Sequence, residues 1–215
     1  MKYIVKESEP LEFTNWKKQD KMFQRGNPKW NRVPSSVKDN IRASLKKEQG
    51  YICCYCEREL RNNDYHIEHF KPKDKFSALQ LDYSNLICSC QLELKQGEPR
   101  HCGNSKGSWF DNNLLISPLN PNCEQQFVFT YNGHILPSND TNIAAKITIE
   151  KLQLDIDKLV DLRKKAIEPF IELFIDENLD ANELEKFVNA YLIEKENNNG
   201  RYNEFYTTIK YLFGN

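Results

Sequence analysis

The sequence contains no run of apolar residues long enough to cross a bilayer. Its first ten residues, MKYIVKESEP, lack the apolar segment of a secretory signal. Internal repeats and low-complexity linkers are also missing. We therefore expect a cytoplasmic protein without a membrane partner. The 215 residues are enough for one good core, with room for a small second lobe.

The chain also has almost no net charge: its formal charge is only -1. The charge is nevertheless uneven: residues 1–110 have 20 Lys and Arg against 14 Asp and Glu, and residues 111–215 have 10 against 17. A basic first half is a mild signal for binding a polyanion such as nucleic acid. Two solvated surfaces of opposite sign explain the same numbers, and charge alone favours that explanation.

Cysteine is plentiful, and its distribution is informative. Six of the seven cysteines and three of the four histidines lie between residues 51 and 107. An odd number of cysteines without a signal peptide favours thiolates kept reduced for metal binding over complete disulfide pairing. The null hypothesis is a group of reduced core thiols.

Cys53 and Cys56 form a Cys-x-x-Cys knuckle, in which two thiolates across a tight turn can hold one Zn²⁺. Cys90 and Cys102 are the best candidates to complete the tetrahedron, and Cys88 competes with them because it lies two residues before Cys90. The remaining two cysteines are expected outside the metal site: Cys54 facing away from it, and Cys123 as a buried apolar thiol.

The segment Tyr65–Phe70, YHIEHF, carries the second group of reactive side chains. On a strand, His66 and Glu68 share a face, and His69 follows at the strand end. A carboxylate can hold a hard divalent cation, and an imidazole can take a proton from water, so this pair suits metal-assisted phosphodiester hydrolysis. A single histidine would more often be structural, but two histidines and a glutamate in four residues indicate catalysis.

Two further stretches add polar groups. The carboxamide of Asn85 can hydrogen-bond across a turn and orient the general base through its backbone. In HCGNSKG, from His101 to Gly107, Asn104 can supply an oxygen ligand to the same cation, and Lys106 can meet phosphate.

Taken in order, Cys-x-x-Cys, Glu-His, Asn-Leu and Cys-x-Asn-x-Lys-Gly resemble the HNH endonucleases, whose ββα-metal fold surrounds one catalytic cation. HIEHFKPK, the split second cysteine pair, HCGNSKG and the later ISPLNP closely resemble the PtuB-like nucleases of Septu and retron-associated anti-phage systems. The core likeness covers residues 51–107, and the closer likeness extends from near the N-terminus to about residue 170.

This resemblance implies roles for individual residues. His69 matches the general base, Glu68 the first ligand of the catalytic cation, and Asn85 the middle asparagine, while His66 stands where related nucleases often have another polar residue. Many members have histidine directly after the final cysteine, but this chain has Gly103. His101 or Asn104 is then expected to complete the cation site, with His101 alternatively contacting zinc or phosphate. Contacts with the nucleic-acid backbone are expected from three lysines: Lys71, Lys73 and Lys106.

The resemblance also implies cofactors and partners. These are a structural Zn²⁺, a catalytic Mg²⁺ or Mn²⁺, a nucleic-acid substrate with DNA favoured, and a PtuA-like ABC- or SMC-type ATPase. A retron reverse transcriptase complex is a further candidate partner. The alternatives are cleavage of RNA, including tRNA, and a zinc-stapled binding module without turnover.

For the fold, we predict an α+β protein with a ββα-metal core, a β-hairpin and a helical C-terminal region. The expected divisions are an N-terminal segment over 1–50, the nuclease core over 51–110 and the remainder over 111–215.

Local patterns predict a short strand at Tyr3–Val5, a helix over 36–49 with a capping box at Ser36 and Asp39, and a hairpin turn at Asn132-Gly133. They also predict helices from about residue 142, over 181–195 and over 202–213, with a kink or break at Pro169. Trp16, Phe23 and Trp30 are expected to pack on the core rather than stack on bases.

Overall fold

The computed structural model describes residues 1–23, 26–61, 64–175 and 180–214. It combines helices with two small antiparallel sheets, in agreement with the expected α+β class. In chain order the elements are α1 (Leu11–Phe23), α2 (Ser35–Glu48), β1 (Tyr65–His69), β2 (Leu86–Cys90), α3 (Gly103–Lys106), β3 (Phe127–Phe129), β4 (Ile135–Pro137), α4 (Ile143–Leu152), α5 (Asp157–Ile175), α6 (Ala181–Tyr191) and α7 (Tyr206–Phe213).

The predicted helix before the cysteines is confirmed as α2, and its apolar stripe fixes it against the core. Ile41 and Leu45 are completely buried. Its expected capping box is wrong, because Pro34 occupies the N-cap position and no side chain caps the helix there. Asp39 instead pairs with Arg42 one turn later, at 2.8 Å. The carbonyl of Pro34 accepts the first backbone hydrogen bond of the helix, from the Lys38 nitrogen at 2.9 Å.

One apolar core joins the N-terminal helices to the cysteine-rich centre and the β3–β4 hairpin, and a second cluster lies among α5, α6 and α7. Trp16 and Trp30 pack against the first core, as expected. Phe23 does not, because it ends α1 with 76% of its surface exposed. The predicted strand at Tyr3–Val5 is also wrong, since Ile4 donates a single backbone hydrogen bond to the carbonyl of Pro118 and no ladder forms.

The predicted hairpin is confirmed, but its turn is not the two-residue type in which both Asn132 and Gly133 would have positive φ. The Gly133 nitrogen donates to the Thr130 carbonyl at 3.0 Å, and Gly133 has a φ of +91°. Asn132 is not among the residues with positive φ, so only the glycine of the pair adopts the left-handed region. A turn of this kind closes hairpins whose loops exceed two residues.

The predicted C-terminal helices are confirmed with shifted boundaries. Pro169 lies inside α5 and does not divide it. The break occurs at Gln153, which ends α4 with a φ of +51°. The last helix starts only at Tyr206, because Phe205 before it has a φ of +55°. None of the helices in the described part of the chain combines the length and apolar character needed to cross a membrane.

Gly133 offers a test of how the hairpin packs on α5. A Cβ at Gly133 would overlap the Val160 carbonyl oxygen and lie 3.0 Å from the Lys164 nitrogen. We expect Gly133→Ala to lower the free energy of unfolding by about 3 kcal/mol, from left-handed strain together with this clash. Gly200→Ala is the matched control, because Gly200 has a φ of +77° but open space around it. It should cost only about 1–2 kcal/mol in chemical denaturation, and equal losses for the two variants would contradict the packing described.

Candidate active site and metal centre

Strands β1 and β2 place His66 and Glu68 side by side. The strands are antiparallel, with His66 opposite Ser89 and Glu68 opposite Ile87. Because side chains alternate along a strand, His66 and Glu68 project from the same face. The His66 Nε2 and Glu68 Oε2 atoms are 3.7 Å apart. An imidazole nitrogen and a carboxylate oxygen therefore meet at one point on the sheet.

Gly103, at the start of α3, lies beside this pair. The small polar space bordered by Gly103, His66, Glu68 and Ser89 forms a cradle. A Cβ built on Gly103 would lie 2.8 Å from His66 Nε2, 2.9 Å from Glu68 Oε2 and 3.1 Å from Ser89 Oγ. Ser89 also accepts a hydrogen bond from the Gly103 nitrogen, at 3.0 Å. Three polar side-chain atoms thus lie so close to Gly103 that any residue with a Cβ at this position would crowd them. Their donor set suits a divalent cation that accepts oxygen and imidazole ligands.

Lys106, at the end of α3, is directed to the other oxygen of the same carboxylate. Its Nζ lies 2.6 Å from Glu68 Oε1, and its side chain is completely buried. The amine also donates to the backbone carbonyls of His69 and Gly107, at 3.3 Å each. The structure therefore brings Lys106 to the interior of the site rather than to the surface, where a phosphate contact had been expected.

His69 is held by groups from outside the strand pair. Its Nε2 lies 3.0 Å from the Gln80 carbonyl, and its ring meets the Trp30 ring edge to face, with centroids 4.7 Å apart. Because a carbonyl can only accept, Nε2 carries the proton and Nδ1 keeps its lone pair. Burial holds the pKa of His69 below its ordinary value, and the ammonium groups of Lys73 and Lys106 act in the same direction. The ring is thus a neutral base at neutral pH.

Asn85 closes the loop between the two strands. Its Oδ1 accepts from the Lys71 nitrogen at 2.8 Å, and its Nδ2 donates to the carbonyls of Lys71 and Leu79 at 3.0 and 3.2 Å. Leu79 precedes Gln80, whose carbonyl holds the His69 ring. The buried carboxamide therefore fixes both the chain that leaves β1 and the segment that orients His69.

Four cysteines form a cluster that includes the last residue of β2, and they are the four that the sequence pattern selected. The Sγ atoms of Cys53, Cys56, Cys90 and Cys102 lie within 4.8 Å of one another, and all four residues are buried. Burial by itself would raise the pKa of Cys53, but hydrogen bonds from the neighbouring thiols hold it well below its ordinary value. The cluster could hold a metal ion.

The other cysteines lie outside this cluster. Burial raises the pKa values of Cys54 and Cys88, so both remain neutral thiols. Cys88 shares a strand face with Cys90, but the metal-competent group does not include it. Cys123 is buried among carbonyl groups near Met1 and Pro118, and burial raises its pKa to about 12. It is the buried thiol expected from the sequence.

The contacts of the two candidates for completing the cation site, His101 and Asn104, are with groups other than His66 and Glu68. His101 lies against the thiols, with Nδ1 3.2 Å from Cys102 Sγ and 3.7 Å from Cys90 Sγ. Its Nε2 is buried without a hydrogen-bond partner. Asn104 donates to the carbonyl of Gln91, just beyond β2. Gly103 is the residue of this segment that lies against Glu68.

The structure also reveals residues at the site that the sequence did not single out. Ser89 faces the cradle from β2, and Gln80 and Trp30 hold the His69 ring. Ser89 had a usable signal, since it alternates with Cys88 and Cys90 on a strand. Gln80 had none, and Trp30 was expected only to pack on the core, because they lie 11 and 39 positions from His69 in the sequence. Of the surface lysines expected near phosphate, Lys73 is exposed and Lys71 is half-buried.

The cysteine cluster predicts a clear difference between two neighbouring thiols. We expect the wild-type chain to carry one tightly bound metal ion, and Cys90→Ala to lose it and to melt at a markedly lower temperature. Cys88→Ala is the matched control on the same strand face and should retain the metal. Elemental analysis of the purified chains and thermal denaturation give the two measurements. Full metal content in Cys90→Ala, or its loss in Cys88→Ala, would disprove the assignment.

Comparison with known proteins identifies relatives. No protein-family model matches the chain. A retron Vc95 protein of Vibrio cholerae serotype O1 biovar El Tor, named as a putative HNH endonuclease, is 33% identical over 162 residues, which cover 72% of this chain and 77% of the relative. A retron Ec83 protein of Escherichia coli with the same designation is 28% identical, over 83% of this chain and 84% of the relative.

The Septu protein PtuB of Bacillus thuringiensis is 26% identical over 74% of this chain, and the match spans 59% of that relative's length. The identity and coverage of the Vibrio cholerae relative are sufficient to assign the family. The chain belongs to the PtuB-like HNH endonucleases of retron and Septu systems.

Proposed function

We propose that this chain is a metal-dependent endonuclease that hydrolyses phosphodiester bonds of nucleic acid, with DNA as the favoured substrate. Its biological role would be anti-phage defence together with an ATPase partner. The observation that carries the proposal is the cradle in which His66 and Glu68 converge beside Gly103, with His69 immediately after them on the strand. Strands β1 and β2 followed by α3 would form the ββα-metal unit.

In this proposal, His66 and Glu68 would hold Mg²⁺ or Mn²⁺ in the cradle. The ion would supply charge stabilisation to the phosphate and to the departing 3′ oxygen. Glu68 is suited to this task because its two oxygens face different groups: Oε1 lies 2.6 Å from Lys106 Nζ, and Oε2 lies 3.7 Å from His66 Nε2. His66 supplies the imidazole that many relatives would carry directly after the final cysteine.

His69 acts as the general base. Its Nδ1 lone pair takes a proton from the attacking water, while Nε2–H remains bonded to the Gln80 carbonyl. The Trp30 ring keeps the imidazole from rotating away from this position. Asn85 contributes indirectly, by holding the loop that carries Gln80.

Zinc is the metal we propose for the four cysteines. A tetrahedral site with Zn–S bonds of ~2.3 Å requires sulfur atoms about 3.8 Å apart. The Cys56 and Cys90 sulfurs are separated by 3.7 Å. A closed set of four thiolates offers no open coordination position, so this ion would stabilise the fold rather than react.

Nucleic acid would approach over the exposed Lys73 and the half-buried Lys71, which follow β1 directly. Phosphate contacts of this kind give affinity without reading the sequence. The acidic C-terminal half is the surface we propose for docking the ATPase. The retron and Septu names of the relatives support a role within a multi-component system.

His69→Ala tests the catalytic assignment. We expect this variant to lose at least about a hundred-fold in cleavage rate, because general-base contributions are typically 10²–10⁴-fold. His134→Ala is the control, since His134 lies half-buried on the hairpin and pairs with Asp155. Wild type and both variants are incubated with duplex DNA, single-stranded DNA and structured RNA in the presence of Mg²⁺ or Mn²⁺, with and without the partner. Preferential RNA cleavage would reassign the substrate, and equal cleavage by wild type and His69→Ala would refute the mechanism.

The lowered pKa of His69 predicts the pH dependence of cleavage. The base must be neutral to accept a proton, and a lowered pKa keeps it neutral at more acidic pH. The rate should therefore rise and reach its plateau at a lower pH than an exposed imidazole, with its ordinary pKa of about 6.5, would allow. Single-turnover rates measured across the acidic range provide the check. An ascending limb centred above that ordinary value would contradict the neutral, buried base.

A further inference from the structure

The cradle lacks enough protein ligands to bind a divalent cation strongly by itself. Among the described residues, the four cysteines are the one group of three or more His, Cys, Asp or Glu side chains gathered closely enough to hold a metal. The cradle contributes one imidazole and one carboxylate from this set, with the hydroxyl of Ser89 beside them. A hard divalent cation prefers six or more oxygen-rich ligands. Most of its coordination sphere must therefore come from water or substrate.

The charge of the cradle is also nearly cancelled. The carboxylate of Glu68 is paired with the buried ammonium of Lys106, at 2.6 Å. Lys106 has no route to solvent in this position, because its side chain is completely buried and its amine is tethered to two backbone carbonyls. Removing a buried charge from its partner is costly, so the ion pair persists when a second cation approaches. An incoming metal ion consequently meets a neutral pair instead of a free carboxylate.

We propose that Lys106 is a positioning residue that makes cation binding at Glu68 dependent on the substrate phosphate. Its positive charge opposes the metal ion in the free enzyme. The scissile phosphate brings negative charge and oxygen ligands to the same place, and these offset the repulsion. The same lysine keeps Glu68 Oε2 aimed at the cradle and contacts the His69 backbone. This inference rests on the proposed function and assigns it a regulation: the metal site is completed only when nucleic acid is bound.

The test measures Mn²⁺ binding instead of cleavage. The chain with its cysteine site filled, carrying His69→Ala to prevent turnover, is titrated with Mn²⁺ by electron paramagnetic resonance. Titrations are made alone, with a short DNA duplex and with a short structured RNA. We expect nucleic acid to tighten Mn²⁺ binding about ten-fold or more, equivalent to about 1.4 kcal/mol. Equal Mn²⁺ affinity with and without both nucleic acids would overturn the proposal, whatever the behaviour of the lysine variants.

Lys106→Met, which keeps the length of the side chain and removes its charge, should tighten Mn²⁺ binding about ten-fold in the absence of nucleic acid. A lysine with a purely structural role would not produce a gain of metal affinity when removed. Lys106→Arg keeps the charge and should resemble the parent, and Lys75→Met, at an exposed position, should change nothing. Unchanged or weaker Mn²⁺ binding in a folded Lys106→Met chain would disprove the role of Lys106.

Glu68→Gln separates this proposal from the proposed function. If Glu68→Gln leaves Mn²⁺ binding unchanged under every condition, the cradle is not the cation site and the proposed function itself fails. If Glu68→Gln abolishes binding while Lys106→Met and the parent behave alike, the cation site stands and only the inference about Lys106 falls. Circular dichroism and the content of the cysteine-bound metal confirm that each variant is folded.

Discussion

The convergence of four thiols is the constraint on which the rest of the site depends. The cysteines come from three separate stretches: the knuckle after α2, the end of β2 and the residue before α3. Two of these stretches also carry part of the cradle. Ser89 directly precedes Cys90, and Gly103 directly follows Cys102. A metal ion bound by these thiols would therefore also hold Ser89 and Gly103 in place, because each is the sequence neighbour of a cysteine in the cluster.

The elements that sequence could predict are those in which spacing alone sets geometry. A Cys-x-x-Cys knuckle brings two thiols together by local turn formation, and strand alternation places His66 and Glu68 on one face. The hairpin at Gly133 and the stripe of α2 belong to the same class, because each depends on residues within one turn or one strand. In these cases the nearest neighbours in sequence are also the nearest neighbours in space.

The remaining features depend on which distant segments meet, and the sequence carries no such information. The Tyr3–Val5 segment has the composition of a strand, but the chain places no strand partner beside Ile4. The His69 ring is held by Gln80 from the loop between the strands and by Trp30 from the N-terminal region. Lys106 was expected to contact phosphate, yet its buried amine has the carboxylate of Glu68 as partner. A single long-range contact outweighs the ordinary preference of the residue type.

Gly103 and His66 illustrate such a dependence between distant positions. In this fold, the residue after the final cysteine begins α3 and faces the cradle. Any Cβ there would approach both His66 Nε2 and Glu68 Oε2 closer than 3.0 Å, a distance that side chains essentially never adopt. A histidine at position 103 and the present rotamer of His66 thus exclude each other. The glycine after Cys102 therefore leaves room for the imidazole of His66, which reaches Glu68 from β1.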